Sequence, residues 1–136
     1  MTERSRVQRF WNVRASSNPS ASSAALADLH LAAFGRRGAW SEAAFEATRA
    51  GPNTLWAEAY ACSVSAETGL TGFAAARHAG DQADLLTLAS GPHRRARGLG
   101  LALLSALCDQ LRALQVTALF LEVAEDNHAA LALYAH

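Results

Sequence analysis

Arg94, Arg95 and Arg97 crowd against Gly98 and Gly100 in "HRRARGLGLALL", His93 to Leu104, and a leucine-rich run follows at once. Arginine carries a fixed charge on a planar fork that matches phosphate oxygens. Glycine removes side chain, so a ligand can come close to the main chain. If a helix opens at Gly98, its first amide N–H groups lack intrahelical acceptors and the helix dipole adds positive potential there. Together these residues can make a phosphate or pyrophosphate site. A tight turn with solvated arginines would use the same residues, and a lone Gly-x-Gly is weak by itself. A strand before the loop and a helix after it favour the anion site.

Two nucleotide motifs can be tested against this loop. A P-loop needs Gly-Lys-Ser/Thr, and all twelve basic residues of the chain are arginines, so that motif is excluded. A dinucleotide fingerprint fits better: Gly98 and Gly100 supply its first two glycines, and Glu122 ends the next apolar run where a ribose-binding acid belongs. Against it, the third glycine position is Leu103, and "SGPHRRAR" separates the strand from Gly98. It stays open as a minor alternative.

The elements that must position this loop read as follows. "RFWNV" is a candidate edge strand, and "ASSNPSASS" is a loop ending in a helix cap. From about Ala24 to Phe34, Leu26, Leu29, Ala33 and Phe34 fall at helical spacing, and "FGRRG" ends the helix. "WSEAAFEATRAG" starts another, with Ser41 as N-cap, Glu42 in the first turn and Gly51-Pro52 as the stop. Three strands, expected to be antiparallel, run from Leu55 to Ala89, with turns at "SAETG" and "AGDQ". After the Arg/Gly loop, Gly98 to Leu114 forms a helix: Ser105, Asp109 and Arg112 share one side, and Leu99, Leu103, Leu107, Leu111 and Leu114 line the buried side. Val116 to Val123 is almost wholly apolar, as a parallel strand covered on both faces would be. "EDN" then caps a last helix, "HAALALYAH". Strand, helix, strand at this spacing makes a right-handed crossover with parallel neighbours. The fold class is α/β (α+β), a mixed sheet with helices on both faces.

With 136 residues, half of them apolar, one domain spanning 1–136 is expected. The formal net charge is zero, which gives no footing for nucleic acid or a membrane surface. Arginine without lysine, with much alanine, reads as codon bias. Cys62 and Cys108 match no zinc spacing and read as reduced, buried thiols. No His-Glu-x-x-His pair is present, and no metal is expected. No signal peptide or membrane span is evident, so a cytoplasmic protein is expected.

At this point the sequence resembles a known family. "RARGLG", Arg95 to Gly100, is similar to the Arg/Gln-x-x-Gly-x-Gly/Ala motif of the GNAT superfamily of acetyl-CoA-dependent N-acetyltransferases. "LLTLASGPHRRARGLGLALLSAL" resembles that family's strand, diphosphate loop and helix, and "LFLEVAEDNHAALALY" its next strand and helix. The latter stretch, with "WSEAAF", is similar to the RimI-type branch, which acetylates the N-terminal amine of a ribosomal protein. The likeness is strong from Leu85 to Tyr134, moderate from Leu26 to Phe45 and faint before that, with residues 1–23 weakly matched.

The resemblance implies acetyl-CoA as acetyl donor and a protein N-terminus or other amine as acceptor, with oligomeric state left open. Backbone groups of Leu88, Ala89 and Ser90 would meet the acetyl and pantetheine part, with an N–H near Ala89 as oxyanion donor. Arg95, Ala96, Arg97, Gly98, Leu99, Gly100 and Leu101 would wrap the pyrophosphate, and Asn127 would also touch the cofactor. Glu122 matches the general base and Tyr134 the general acid. The residues themselves agree: an acid in an apolar strand needs a pocket or a partner. Partial burial would raise its pKa toward that of a useful base. Asn127, Leu131 and Tyr134 share a helical face, while His128 is incidental. The family continues after its "LALY" helix with a Gly-Phe loop and two strands. The chain is therefore expected to be C-terminally truncated, leaving Val116–Val123 as an edge. A GNAT enzyme acting on a small-molecule amine or lysine side chain, or a non-catalytic module binding CoA or a dinucleotide, are the alternatives.

Overall fold

The computed structural model describes residues 11–62, 67–91 and 98–121. In chain order these form β1 (Trp11–Ser16), α1 (Ser23–Gly38), α2 (Glu42–Ala50), β2 (Thr54–Cys62), β3 (Glu67–Ala79), β4 (Gln82–Ser90), α3 (Leu99–Ala113) and β5 (Ala118–Phe120). The strands make one five-stranded sheet in the order β1-β2-β3-β4-β5. The first three pairings are antiparallel and β4 with β5 is parallel, as the crossover pattern requires.

Serines start both early helices. The Ser22 hydroxyl accepts from the Ala25 N–H at 3.1 Å, and that of Ser41 from the Ala44 N–H at 3.1 Å. Each satisfies an amide that the first helical turn leaves without an acceptor. Gly51 caps α2 as expected. The first helix ends within "FGRRG" as expected, at Gly38, after a kink at Gly35 (φ 75°, ψ 175°). The kink turns the chain so that the Ala39 N–H bonds back to the Gly35 carbonyl at 3.0 Å.

The "AGDQ" turn joins β3 to β4 as a two-residue hairpin, with Ala79 opposite Gln82 and Gly80 at φ 60°. The other hairpin is shifted two residues from expectation. Glu67, Thr68 and Gly69 of "SAETG" belong to β3, and Cys62 pairs with Glu67; Ser65 and Ala66 lie outside the described residues.

Alternation along the strands splits the core into two layers. Leu55, Ala57, Ala59, Ala74, Ala76 and Ala83 face α3, which presents Leu99, Leu103, Leu107 and Leu111. On the other face Trp56, Phe73, Ala75 and Ala89 pack with Leu26 of α1 and Phe45 of α2. Small residues on the α3 side let that helix sit close to the sheet. A Cβ at Gly72 would lie 3.1 Å from Leu99 Cδ2, Leu103 Cδ1 and the Ala89 carbonyl.

Two expectations at the end of α3 need correction. Leu114 was placed on the buried face, but it is 48 % exposed. Regular helix stops at Ala113, Leu114 is its C-cap, and Gln115 after it takes a left-handed φ of 65°, so Leu114 no longer follows the leucine row. The strand expected over Val116–Val123 is three residues long among those described. Its Phe120 is 52 % exposed, so this segment is not covered on both faces. Val116 is buried beside α3 but precedes the strand.

Candidate active site

The site starts from an irregularity in β4. Thr87 pairs with Ala75 and Leu85 with Ala76, so Leu86 is an extra residue, a β-bulge. Below the bulge, Gln82, Ala83 and Asp84 pair with Ala118, Leu119 and Phe120 of β5. Above it, Leu85 to Ser90 have no β5 partner among the described residues. A bulge bends its strand and increases local twist, here just past the last described β4–β5 pair.

The direction of the main-chain groups along this part of β4 can be assigned. The Gly91 N–H donates to the Thr71 carbonyl at 2.8 Å, and the register Gly72–Ser90, Phe73–Ala89, Ala74–Leu88 runs on from it without interruption. In an antiparallel ladder, residues alternate between bonding the partner strand and pointing away from it. Ala89, in phase with Gly91, bonds toward β3. Leu88 and Ser90 therefore turn their N–H and C=O groups away from β3, toward the β5 side of the strand. The donor expected near Ala89 thus belongs to its neighbours, while the Ala89 side chain, 2 % exposed, packs under α1.

The N-terminus of α3 lies beside this segment. Gly98 is its N-cap, in left-handed conformation (φ 77°), with no side-chain cap. The first helical bond runs from the Ala102 N–H to the Gly98 carbonyl at 3.0 Å. The amides of Gly98, Leu99, Gly100 and Leu101 precede it and have no acceptor within the helix. Leu99 is fully buried against Gly72, the register partner of Ser90, so the amide cluster is held at the end of β4. An uncapped helix start, reached through a glycine whose φ disfavours a side chain, suits a phosphate group. Of the remaining expected site residues, Arg95, Ala96, Arg97, Glu122, Asn127 and Tyr134 lie outside the described residues.

On the opposite face two buried polar groups hold the scaffold, and neither was singled out from the sequence. Glu58 is 1 % exposed. Its carboxylate accepts from the Ser20 N–H (2.8 Å), the Ala21 N–H (2.9 Å) and the Tyr60 hydroxyl (2.6 Å). Arg49 closes the same loop by donating to the Ala21 and Pro19 carbonyls at 2.9 and 3.1 Å. His30, also 1 % exposed, sits among Phe34, Trp40, Phe45 and Phe73. Its Nδ1 accepts from the Trp40 N–H at 3.0 Å, which puts the proton on Nε2, 2.9 Å from Thr87 Oγ1. Burial lowers its pKa from 6.5 to about 4. The signal for Glu58 was available: a lone acid in "TLWAEAYAC" is the kind of feature that drew attention to Glu122.

Comparison with known proteins gives the family. Residues 23–136 match the Acetyltransferase (GNAT) family. The chain belongs to that family. The protein is 39 % identical over 71 residues to the [ribosomal protein bS18]-alanine N-acetyltransferase of Salmonella typhimurium, a stretch covering 52 % of this GNAT chain. It spans about half, 48 %, of that relative's length. The crystal structure of the ribosomal-protein-S18-alanine N-acetyltransferase from Escherichia coli superposes with a TM-score of 0.74 at 31 % identity, covering 91 % of this chain and 75 % of that one. The PaiA N-acetyltransferase from Thermoplasma acidophilum, solved in complex with coenzyme A, shares the fold: TM-score 0.70, 16 % identity, coverage 91 % and 87 %. No helix among the described residues is long and apolar enough to cross a membrane.

Proposed function

We propose that this GNAT protein is an acetyl-CoA-dependent N-acetyltransferase whose acceptor is a primary amine, specifically the N-terminal α-amine of a ribosomal protein. The observation that carries this is the pairing of two features at one end of the sheet. Beyond the bulge, the Leu88 and Ser90 main-chain groups point away from β3, and the uncapped start of α3 lies next to them. A pyrophosphate on the amides of Gly98 to Leu101, with Arg95, Ala96 and Arg97 completing the loop, would direct the pantetheine arm along Leu88–Ser90. Asn127, by the family motif, would add a contact.

Bound acetyl-CoA supplies an activated acetyl group. The Leu88 and Ser90 amides, as hydrogen-bond donors in a dry setting, would polarise its carbonyl. Glu122, directly or through a water, would take a proton from the acceptor amine. Tyr134 would return a proton to the departing thiolate. These roles for Glu122 and Tyr134 rest on the family motif at their positions.

Calorimetric titration with acetyl-CoA and with NADH, followed by acetyl-transfer assays, tests the reading. Acetyl-CoA should bind and NADH should not; the reverse result would overturn it. An alanine-terminated peptide should be acetylated in preference to polyamines, aminoglycosides and a lysine side chain. Glu122→Gln and Tyr134→Phe should each lower turnover with acetyl-CoA affinity nearly intact.

A further inference from the structure

The buried imidazole of His30 bonds to two parts of the chain that are distant in sequence. On one side is the turn that follows the Gly35 kink: the Ala39 N–H closes onto Gly35, and the Trp40 N–H then donates to His30 Nδ1 at 3.0 Å. On the other side is β4, through Thr87 at 2.9 Å. Thr87 directly follows the bulge and directly precedes Leu88–Ser90. The ring lies 4.5 Å from that of Phe34 and 5.4 Å from that of Trp40, centroid to centroid.

An aromatic cage of this kind would accept an apolar side chain at less cost, because burying two ring nitrogens needs two partners. Here both are satisfied, and with directed bonds. Each bond fixes an orientation that packing alone leaves adjustable. The outer member of the cage, Phe34, is 44 % exposed, and Trp40 is half-buried. Through His30 the Phe34–Trp40 surface is tied to Thr87, the residue that precedes Leu88–Ser90, along which the proposed acetyl group would lie.

We propose that His30 is a positioning residue that locks the Phe34–Trp40 turn to β4 at Thr87 and so sets the wall against which the acceptor's N-terminal residue is presented. The proposal rests on the N-acetyltransferase reading above. It assigns His30 to acceptor seating, not to proton transfer or cofactor binding.

The test uses the full chain, an alanine-terminated peptide as acceptor, and His30→Leu, His30→Gln, Thr87→Val and Thr87→Ser. His30→Leu and Thr87→Val should each raise the peptide KM about tenfold, the scale of one buried hydrogen bond. Acetyl-CoA affinity should stay within about twofold, below a third of that free energy. His30→Gln and Thr87→Ser, which can remake the bonds, should restore most of the peptide KM. Nitrogen-resolved NMR of the wild type should show the Nε2–H tautomer, and Trp40 amide exchange should quicken in His30→Leu. If His30→Leu does not fold, Thr87→Val carries the test. An active wild type whose peptide KM is unmoved by Thr87→Val, or whose loss is not repaired by the conservative variants, overturns the proposal alone. A wild type that binds acetyl-CoA but acetylates no amine overturns the functional reading on which it rests.

Discussion

The state of His30 makes stability depend on pH in a window where few other groups titrate. Its pKa is about 4 in the folded chain, against 6.5 for a free histidine. Between these values the unfolded chain binds a proton that the folded chain refuses, so stability must fall as pH falls from about 6.5 to about 4. The full span corresponds to about 3 kcal/mol, and below pH ~4 both states are protonated and the loss stops growing. Moving from pH 7.5 to 5.5 takes up only part of this, about 1 kcal/mol, while ordinary carboxylates remain ionised. His30→Gln removes the titration but keeps one donor and one acceptor for Thr87 and Trp40. Urea unfolding of both proteins at both pH values isolates the imidazole, since every other group cancels in the difference. With a slope of about 1.5 kcal/mol per molar, the wild-type midpoint should drop about 0.7 M further than that of the variant. Equal drops would refute the reasoning, because they would mean that the buried imidazole takes up its proton as easily as in the unfolded chain. A smaller drop for wild type would mean that the structure favours the imidazolium.

Three further outcomes can be measured by the same unfolding assay. Glu58→Ala should destabilise by about 3 kcal/mol, since it leaves the Ser20 and Ala21 amides and the Tyr60 hydroxyl without their acceptor; Tyr60→Phe, which removes one of those donors, should cost about 1 kcal/mol. Gly72→Ala should destabilise by about 1–3 kcal/mol by overpacking, because the added methyl meets two leucines of α3 and a backbone carbonyl at 3.1 Å. Gly98→Ala has open space around it, so its cost of about 1 kcal/mol comes from the positive φ alone, and Gly98→Asn should recover part of it. A loss above 3 kcal/mol for Gly98→Ala would show that the helix start is packed more tightly than its surroundings indicate.

What the sequence made legible followed from periodicity and capping. The row Leu99, Leu103, Leu107, Leu111 is uninterrupted, and all four are buried. Ser41 and the glycine turn at Gly80 depend on chemistry within a few residues, and both were recognisable. The parallel pairing of β4 and β5 followed from the strand–helix–strand order. The less legible features depend on contacts distant in sequence. His30 meets Thr87 across 57 positions and Glu58 meets Ser20 across 38, so neither partner lies near the residue it satisfies. The Leu86 bulge leaves no mark in "ADLLTLAS", because a bulge is set by both strands of the pair. The helix end in "FGRRG" was readable, but the kink at Gly35 was not, since glycine permits both a kink and an end. Leu114 shows the complementary failure, in which a heptad-like count runs one residue past the helix that supports it. In the candidate site, the glycines and the β4 tip were readable as types, but which amides turn outward required the register.

The alanine-lined inner sheet has a consequence for how this protein can vary. Ala57, Ala59, Ala74, Ala76 and Ala83 contribute almost no side-chain volume to the layer under α3, and the bulk is supplied from one side by Leu99, Leu103, Leu107 and Leu111. Tolerance to mutation should therefore be lopsided. The strand alanines have almost no side chain to lose and reject enlargement, while the helix leucines reject trimming, which would leave a cavity. A deep substitution scan should separate the two surfaces by the direction of size change each rejects. A lineage drifting under this constraint would change side-chain volume by paired exchanges, a larger residue on a strand answered by a smaller one on the helix, with the main-chain spacing between them left as it is.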